Sequence, residues 1–206
     1  MAVVRGAGPH SKYETVAFME AFLVSTAAVA IGEIGDKTQL LALILAARFK
    51  RPIPIVLGIL VATLANHSLA GLLGNYIRSA LNPDYLRWAL GLSFLAVGLW
   101  ALKPDEMEED PEPVGRYGVF AITVVTFFLA EIGDKTQLAT VMLAAKFPSL
   151  VAVVAGTTLG MLIADVPAVF LGEVASERIP FKAVRYTAAA LFAALGVMTL
   201  AGFELP

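Results

Sequence analysis

The residues with the most chemical potential in this sequence occur twice in the same order. Glu33-Ile34-Gly35-Asp36-Lys37-Thr38-Gln39-Leu40 recurs unchanged as Glu131-Ile132-Gly133-Asp134-Lys135-Thr136-Gln137-Leu138. Both copies lie inside long apolar stretches, where a carboxylate or an ammonium is costly unless it is paired, protonated or bound to a cation. On a continuous helix of about 3.6 residues per turn, Glu33 and Asp36 share one face with Gln39 on its flank. Thr38 joins them only if the helix breaks locally. Glu131, Asp134, Gln137 and Thr136 repeat the pattern. If the copies face each other, four carboxylates and two amide oxygens converge, an oxygen-rich cage suited to Mn²⁺, Ca²⁺ or Mg²⁺. The chain has no cysteine and only two histidines, so a zinc or copper site is poorly provided for. The same oxygens can carry protons, because metal ligands must be deprotonated before they bind.

Two ordinary readings compete with a cation site. Glu33 can pair with Lys37, and Glu131 with Lys135, across one helical turn. Alternatively Asp36 and Asp134 can cap helix N-termini. Either accounts for one copy, but Glu–Lys pairing leaves both aspartates unexplained. In a cation site, Lys37 and Lys135 would instead offset the excess negative charge of the cluster. Outside the motifs, Asn66, His67 and Asp165 are further candidates. Asp165 lies deep in an apolar segment just before Pro167 and is the strongest of them, as an extra ligand or proton carrier. A lone His67 is more often a hydrogen-bonded core residue than a functional one.

The elements that must position these groups are membrane helices. Of the 206 residues 58% are hydrophobic and 16% charged, with mean hydropathy +0.78. A soluble domain carries about a quarter charged residues. The net charge of −2 gives no basic field for nucleic acid. Six apolar segments follow a polar tail at 1–16: 17–47, 53–73, 85–102, 118–147, 149–172 and 183–203. About 20 apolar residues suffice to span a bilayer. The first and fourth segments are longer and contain the motifs, so each is expected to be kinked or broken there, with Gly35 and Gly133 as weak points. Ala28-Val29-Ala30 imitates a signal-peptidase site. The equivalent run before the second motif sits mid-chain, so the first is read as a retained segment.

An ungapped offset of 98 residues aligns much of the chain, pairing Phe22 with Phe120, Gly58 with Gly156, Phe94 with Phe192 and His67 with Asp165. This predicts an all-α membrane protein of two three-helix repeats, 17–102 and 118–203. An odd span count inverts one repeat relative to the other, a common plan of secondary transporters with a midplane site. Small residues such as Gly58, Ala62, Gly156 and Gly160 fit close helix packing. Eight Lys and Arg residues in loops on one side against five on the other place both termini outside and the acidic linker 103–117 in the cytoplasm.

The doubled Glu-x-Gly-Asp-Lys-Thr motif in a six-span chain with an acidic central loop resembles the GDT-like cation exchangers. These are manganese and calcium transporters of Golgi, chloroplast and bacterial membranes. The resemblance covers nearly the whole chain, and the short tail and compact loops look like the bacterial members. It implies a secondary transporter rather than an enzyme, in a bacterial inner membrane, exporting Mn²⁺ or Ca²⁺ in exchange for protons. Its acids map onto Glu33, Asp36, Glu131 and Asp134, and its threonines onto Thr38 and Thr136. No cofactor is implied; the bound species is the transported cation, and the partners are cation, protons and lipid bilayer. A homo-oligomer is compatible with the sequence. The rival classes are a cation channel, an intramembrane enzyme and a membrane assembly factor.

Overall fold

The computed structural model describes residues 9–103, 118–171 and 181–202. Among the described residues there are eight helices and no strand. They are α1 (Pro9–Glu33), α2 (Lys37–Phe49), α3 (Pro52–Ala80), α4 (Pro83–Ala101), α5 (Val119–Glu131), α6 (Lys135–Lys146), α7 (Leu150–Leu171) and α8 (Phe181–Leu200). The helix α1 runs through Ala28-Val29-Ala30 and begins within what sequence alone suggests is an exposed tail. Its first described side chains, Tyr13 to Val16, are exposed. Among the described residues, three helices are long and apolar enough to cross a membrane: α1 from Tyr13, α3, and α7 as far as Phe170. Residues 104–117 of the acidic linker lie outside the described residues.

Both motif-bearing segments are broken rather than kinked. Helix α1 stops at Glu33 and α2 starts at Lys37, while α5 stops at Glu131 and α6 starts at Lys135. The turn residues Gly35 and Gly133 have φ of 83° and 77°, the left-handed region that costs an L-residue about 1–2 kcal/mol and glycine nothing. A break inside a bilayer exposes backbone groups that no water can satisfy. Here the motif satisfies them itself. The Gly35 N–H donates to Gln39 Oε1 at 2.9 Å and the Gly133 N–H to Gln137 Oε1 at 2.8 Å. The Asp36 N–H closes onto the Glu33 carbonyl at 3.0 Å, and the Asp134 N–H onto that of Glu131 at 3.2 Å.

The long helices hold the breaks together. Helix α1 packs on α7 as α5 packs on α3, α2 touches α7 as α6 touches α3, and α4 lies against α8. Glycines make these approaches possible. A Cβ at Gly156 would lie 2.5 Å from the Phe22 carbonyl oxygen, and one at Gly58 would lie 2.6 Å from Thr123 Cβ and 3.0 Å from the Phe120 carbonyl. Between lipid-solvated helices such van der Waals contact, not water exclusion, is the binding force. Two apolar clusters result, one around Phe94, Leu143 and Phe192, the other around Leu45, Ile55, Ile59 and Phe127. The exterior is also apolar, with Leu64, Leu72, Leu99, Leu129, Val151 and Phe170 exposed.

Candidate cation site

The acids sit where helix ends meet. Glu33 and Glu131 are the last residues of α1 and α5, and Asp36 and Asp134 are the N-caps of α2 and α6. A carboxylate at a helix N-terminus is favoured by the partial positive charge there. All four are at most 2% exposed. One carboxylate oxygen each from Glu33, Glu131 and Asp134 lie within 4.8 Å of one another, so both copies of the motif contribute to one cluster.

The helix break changes which groups share the site. Thr38, off-face on a continuous helix, donates from Oγ1 to Glu33 Oε2 at 2.6 Å. Thr136 Oγ1 lies 3.0 Å from Asp134 Oδ2 and 3.4 Å from Glu131 Oε2, and its single proton favours the aspartate. Glu33 Oε1 and Glu131 Oε1 are buried with no hydrogen-bond partner among the described residues. Buried polar oxygens are normally satisfied, so this pair marks room for a ligand.

The lysines cross between copies. Lys135 Nζ donates to Asp36 Oδ1 at 2.7 Å, and Lys37 Nζ stands 3.2 Å from Asp134 Oδ1. The competing reading of Glu–Lys pairs within one copy does not hold: Lys37 and Lys135 bridge to the other copy's aspartate, because the break takes Glu33 and Lys37 off a common helix. Two expectations are corrected. Asp36 is held by Lys135 and stands outside the close group of three carboxylates, so the four acids do not converge equally. The amide oxygens of Gln39 and Gln137 face the glycine N–H groups rather than a cation. The capping alternative holds in part: Asp134 accepts from the Thr136 N–H at 3.3 Å, whereas the Asp36 side chain makes no cap bond.

The glutamine amides also tie each break to a long helix. Gln39 Nε2 donates to the Ala164 carbonyl at 3.0 Å, and Gln137 Nε2 donates to Asn66 Oδ1. Asn66 in turn donates to the Phe128 carbonyl at 3.3 Å. Asn66 and Ala164 are equivalent under the 98-residue offset. Asn66 therefore ties the second break to α3 and α5, a role legible only once its partners are seen. Asp165 and His67 are both fully buried, and neither has a hydrogen-bond partner among the described residues. Asp165 is within electrostatic reach of Glu33 and Glu131. His67 is not a hydrogen-bonded core histidine among the described residues.

Comparison with known proteins identifies the family. Residues 21–109 and 119–204 match the family described as divalent cation/proton antiporter GDT1. The chain is 44% identical over 182 residues to a candidate manganese exporter of Vibrio cholerae, covering 88% of this chain and 90% of that one. It is 30% identical over 202 residues to a GDT1-like protein of Synechocystis, covering 88% and 97%. A GDT1-like protein of Oryza sativa is 27% identical over 206 residues, covering 86% and 72%. No solved structure gives a significant match. With both halves matched and the doubled motif brought to one buried cluster, the chain belongs to the GDT1 family of divalent cation/proton antiporters.

Proposed function

We propose that this protein exports Mn²⁺ from the cytoplasm in exchange for protons, with Ca²⁺ as a second substrate, through one site shared by both motif copies. The observation that carries this is the group of three buried carboxylates from the two copies, within 4.8 Å, with two glutamate oxygens left without a protein partner. Glu33, Asp36, Glu131 and Asp134 bind the cation in the course of the cycle. Thr38 and Thr136 orient the acids, Gln39 and Gln137 hold the breaks, and Lys37 and Lys135 balance charge. Asp165 adds a further carboxylate nearby.

Transport proceeds by rocking of two inverted repeats, 17–102 and 118–203, joined by the linker 103–117 on the cytoplasmic side of a bacterial inner membrane, with both termini outside. The exchangeable packing, α1 on α7 against α5 on α3, supports this symmetry. So do the matched approaches of Gly156 to Phe22 and Gly58 to Phe120. A site near the midplane approached alternately from each face is the usual plan of such repeats. Manganese is favoured over calcium by the name of the Vibrio relative.

Protons and cation compete because a carboxylate must lose its proton to ligate a metal. Cation affinity is therefore expected to fall as pH falls, and binding to release protons into weak buffer. The test is flux in metal-loaded proteoliposomes under an imposed pH gradient. Mn²⁺ should move against its own gradient when protons run down theirs, and Glu33→Gln and Asp134→Asn should abolish it. Flux indifferent to the proton gradient would mean a channel.

A further inference from the structure

Charged side chains at one end of the bundle serve neither the carboxylate cluster nor the helix breaks. A cavity of about 520 Å³ lies there, between the N-terminal halves of α1 and α4 and the C-terminal ends of α6 and α8. Glu20 on α1, Arg87 on α4 and Lys146 at the end of α6 line it, with Leu86, Leu90 and Phe147 among its apolar walls. Its size falls within the range of small-ligand sites. Glu33 follows Glu20 by thirteen residues, about 20 Å along α1, so the cavity is separate from the cation site. We propose that this cavity binds the headgroup of a phospholipid with a primary ammonium, a phosphatidylethanolamine. Arg87 and Lys146 meet the phosphate, Glu20 accepts from the ammonium, and the apolar walls take the start of the acyl chains.

The polar groups fit a zwitterion. Glu20 Oε1 is buried with no hydrogen-bond partner among the described residues, and a buried oxygen left bare is costly. An entering ammonium supplies the missing donor. Lys146 Nζ donates to Thr199 Oγ1 at 3.2 Å, which holds the ammonium against α8. Arg87 stands 3.8 Å from Asp84, whose side chain is 83% exposed. So long and exposed an ion pair is weak, and a phosphate that accepts two guanidinium N–H bonds outcompetes it. The depth fits a lipid. Glu20 is seven residues inside the apolar span that starts at Tyr13, about 10 Å along the helix. Tyr85 and Trp88, exposed beside Arg87, are the residue types that mark a membrane–water boundary. The two halves of the chain add a contrast. Under the 98-residue offset Arg87 and Lys146 correspond to Arg185 and Arg48, whereas Glu20 and Asp84 correspond to Gly118 and Lys182. The cations recur and the acids do not, so the ammonium partner is particular to this cavity.

The experiment uses the purified full-length protein in detergent, with lipids of identical acyl chains added one at a time. Retained lipid is counted by native mass spectrometry, and thermal unfolding is followed in parallel. Phosphatidylethanolamine is expected to bind at least about tenfold more tightly than phosphatidylcholine, whose quaternary ammonium has no N–H for Glu20. Phosphatidylglycerol, with no ammonium, should also bind more weakly. Phosphatidylethanolamine should raise the melting temperature by about 3 °C or more. Glu20→Met should remove its advantage over phosphatidylcholine, and Arg87→Gln should weaken both lipids by about tenfold. Soluble phosphoethanolamine should not displace the lipid at equal concentration. Equal retention of the three lipids by the unsubstituted protein would overturn the inference without any variant. An unchanged preference in Glu20→Met would overturn it as well, and full displacement by phosphoethanolamine would make the ligand a solute instead. Each reading is of binding alone, so it stands apart from the test of antiport.

Discussion

The two octapeptides share eight residues and differ in surroundings. In the first, Ile34 and Gly35 are half-buried, Lys37 is part-exposed, and the glutamine amide ends on the backbone carbonyl of Ala164. In the second, Ile132 and Gly133 are exposed, Lys135 is buried, and the glutamine ends on the side chain of Asn66. What stays the same is local: the break, the positive φ of the glycine, and the glutamine bond to its N–H. What differs is supplied by the facing helix, Asn66-His67 on α3 against Ala164-Asp165 on α7. Identical residues thus build identical turns but unequal electrostatic sites.

Variants made in matched pairs test this contrast. The largest effect is expected from Glu33→Gln and Glu131→Gln. Each should lower Mn²⁺ flux by about 100-fold or more, at least matching the cost of losing an outer partner of a metal site. The two should be equal, and a large difference in initial rates would mean the copies do not share one site. Next come the lysines. Lys135→Met removes the 2.7 Å ion pair of the buried Asp36 and should cost about 3–5 kcal/mol of stability. Lys37→Met, at a part-exposed and more screened pair, should cost about 1 kcal/mol or less. Thermal unfolding in detergent reads the difference, and equal losses would erase the asymmetry.

The glutamines should separate less. Gln39→Leu and Gln137→Leu each leave a glycine N–H unpaired, at about 1–3 kcal/mol. Gln137→Leu should fall at the upper end because it also strands Asn66 Oδ1. The smallest effect serves as the control. Gly35→Ala and Gly133→Ala force a left-handed conformation on alanine and should each cost about 1 kcal/mol, equally in both copies. Unequal melting shifts there would mean that the breaks themselves differ.

Much of this was legible without coordinates. The doubled motif, the offset and the apolar composition led to an all-helical membrane protein whose motif segments are kinked or broken near Gly35 and Gly133, and the structure has breaks there. The acids were legible because a carboxylate in an apolar helix needs a reason. Three things were not: Thr38 turning onto Glu33, the glutamine oxygens facing the turn, and the crossing of the lysines. The helical wheel assumed a continuous helix. Once the helix breaks, residues one turn apart no longer share a face and that geometry fails. Asn66 was recognised as polar, but its anchoring of Gln137 needed the α3–α6 approach to be known.

Sequence by itself determined the local chemistry, since glycine at the left-handed turn, glutamine four residues on and aspartate as N-cap act within a few residues of one another. It also pointed to the class of ligand, because abundant oxygen donors without cysteine are a property of composition. Only the tertiary structure decided which aspartate stands in the carboxylate group and how closely each is held by the other copy's lysine. Those choices depend on ion pairs between residues about a hundred positions apart. Coulomb energy in a buried site changes steeply with distance, and neither the distance nor the burial is written in the repeated residues.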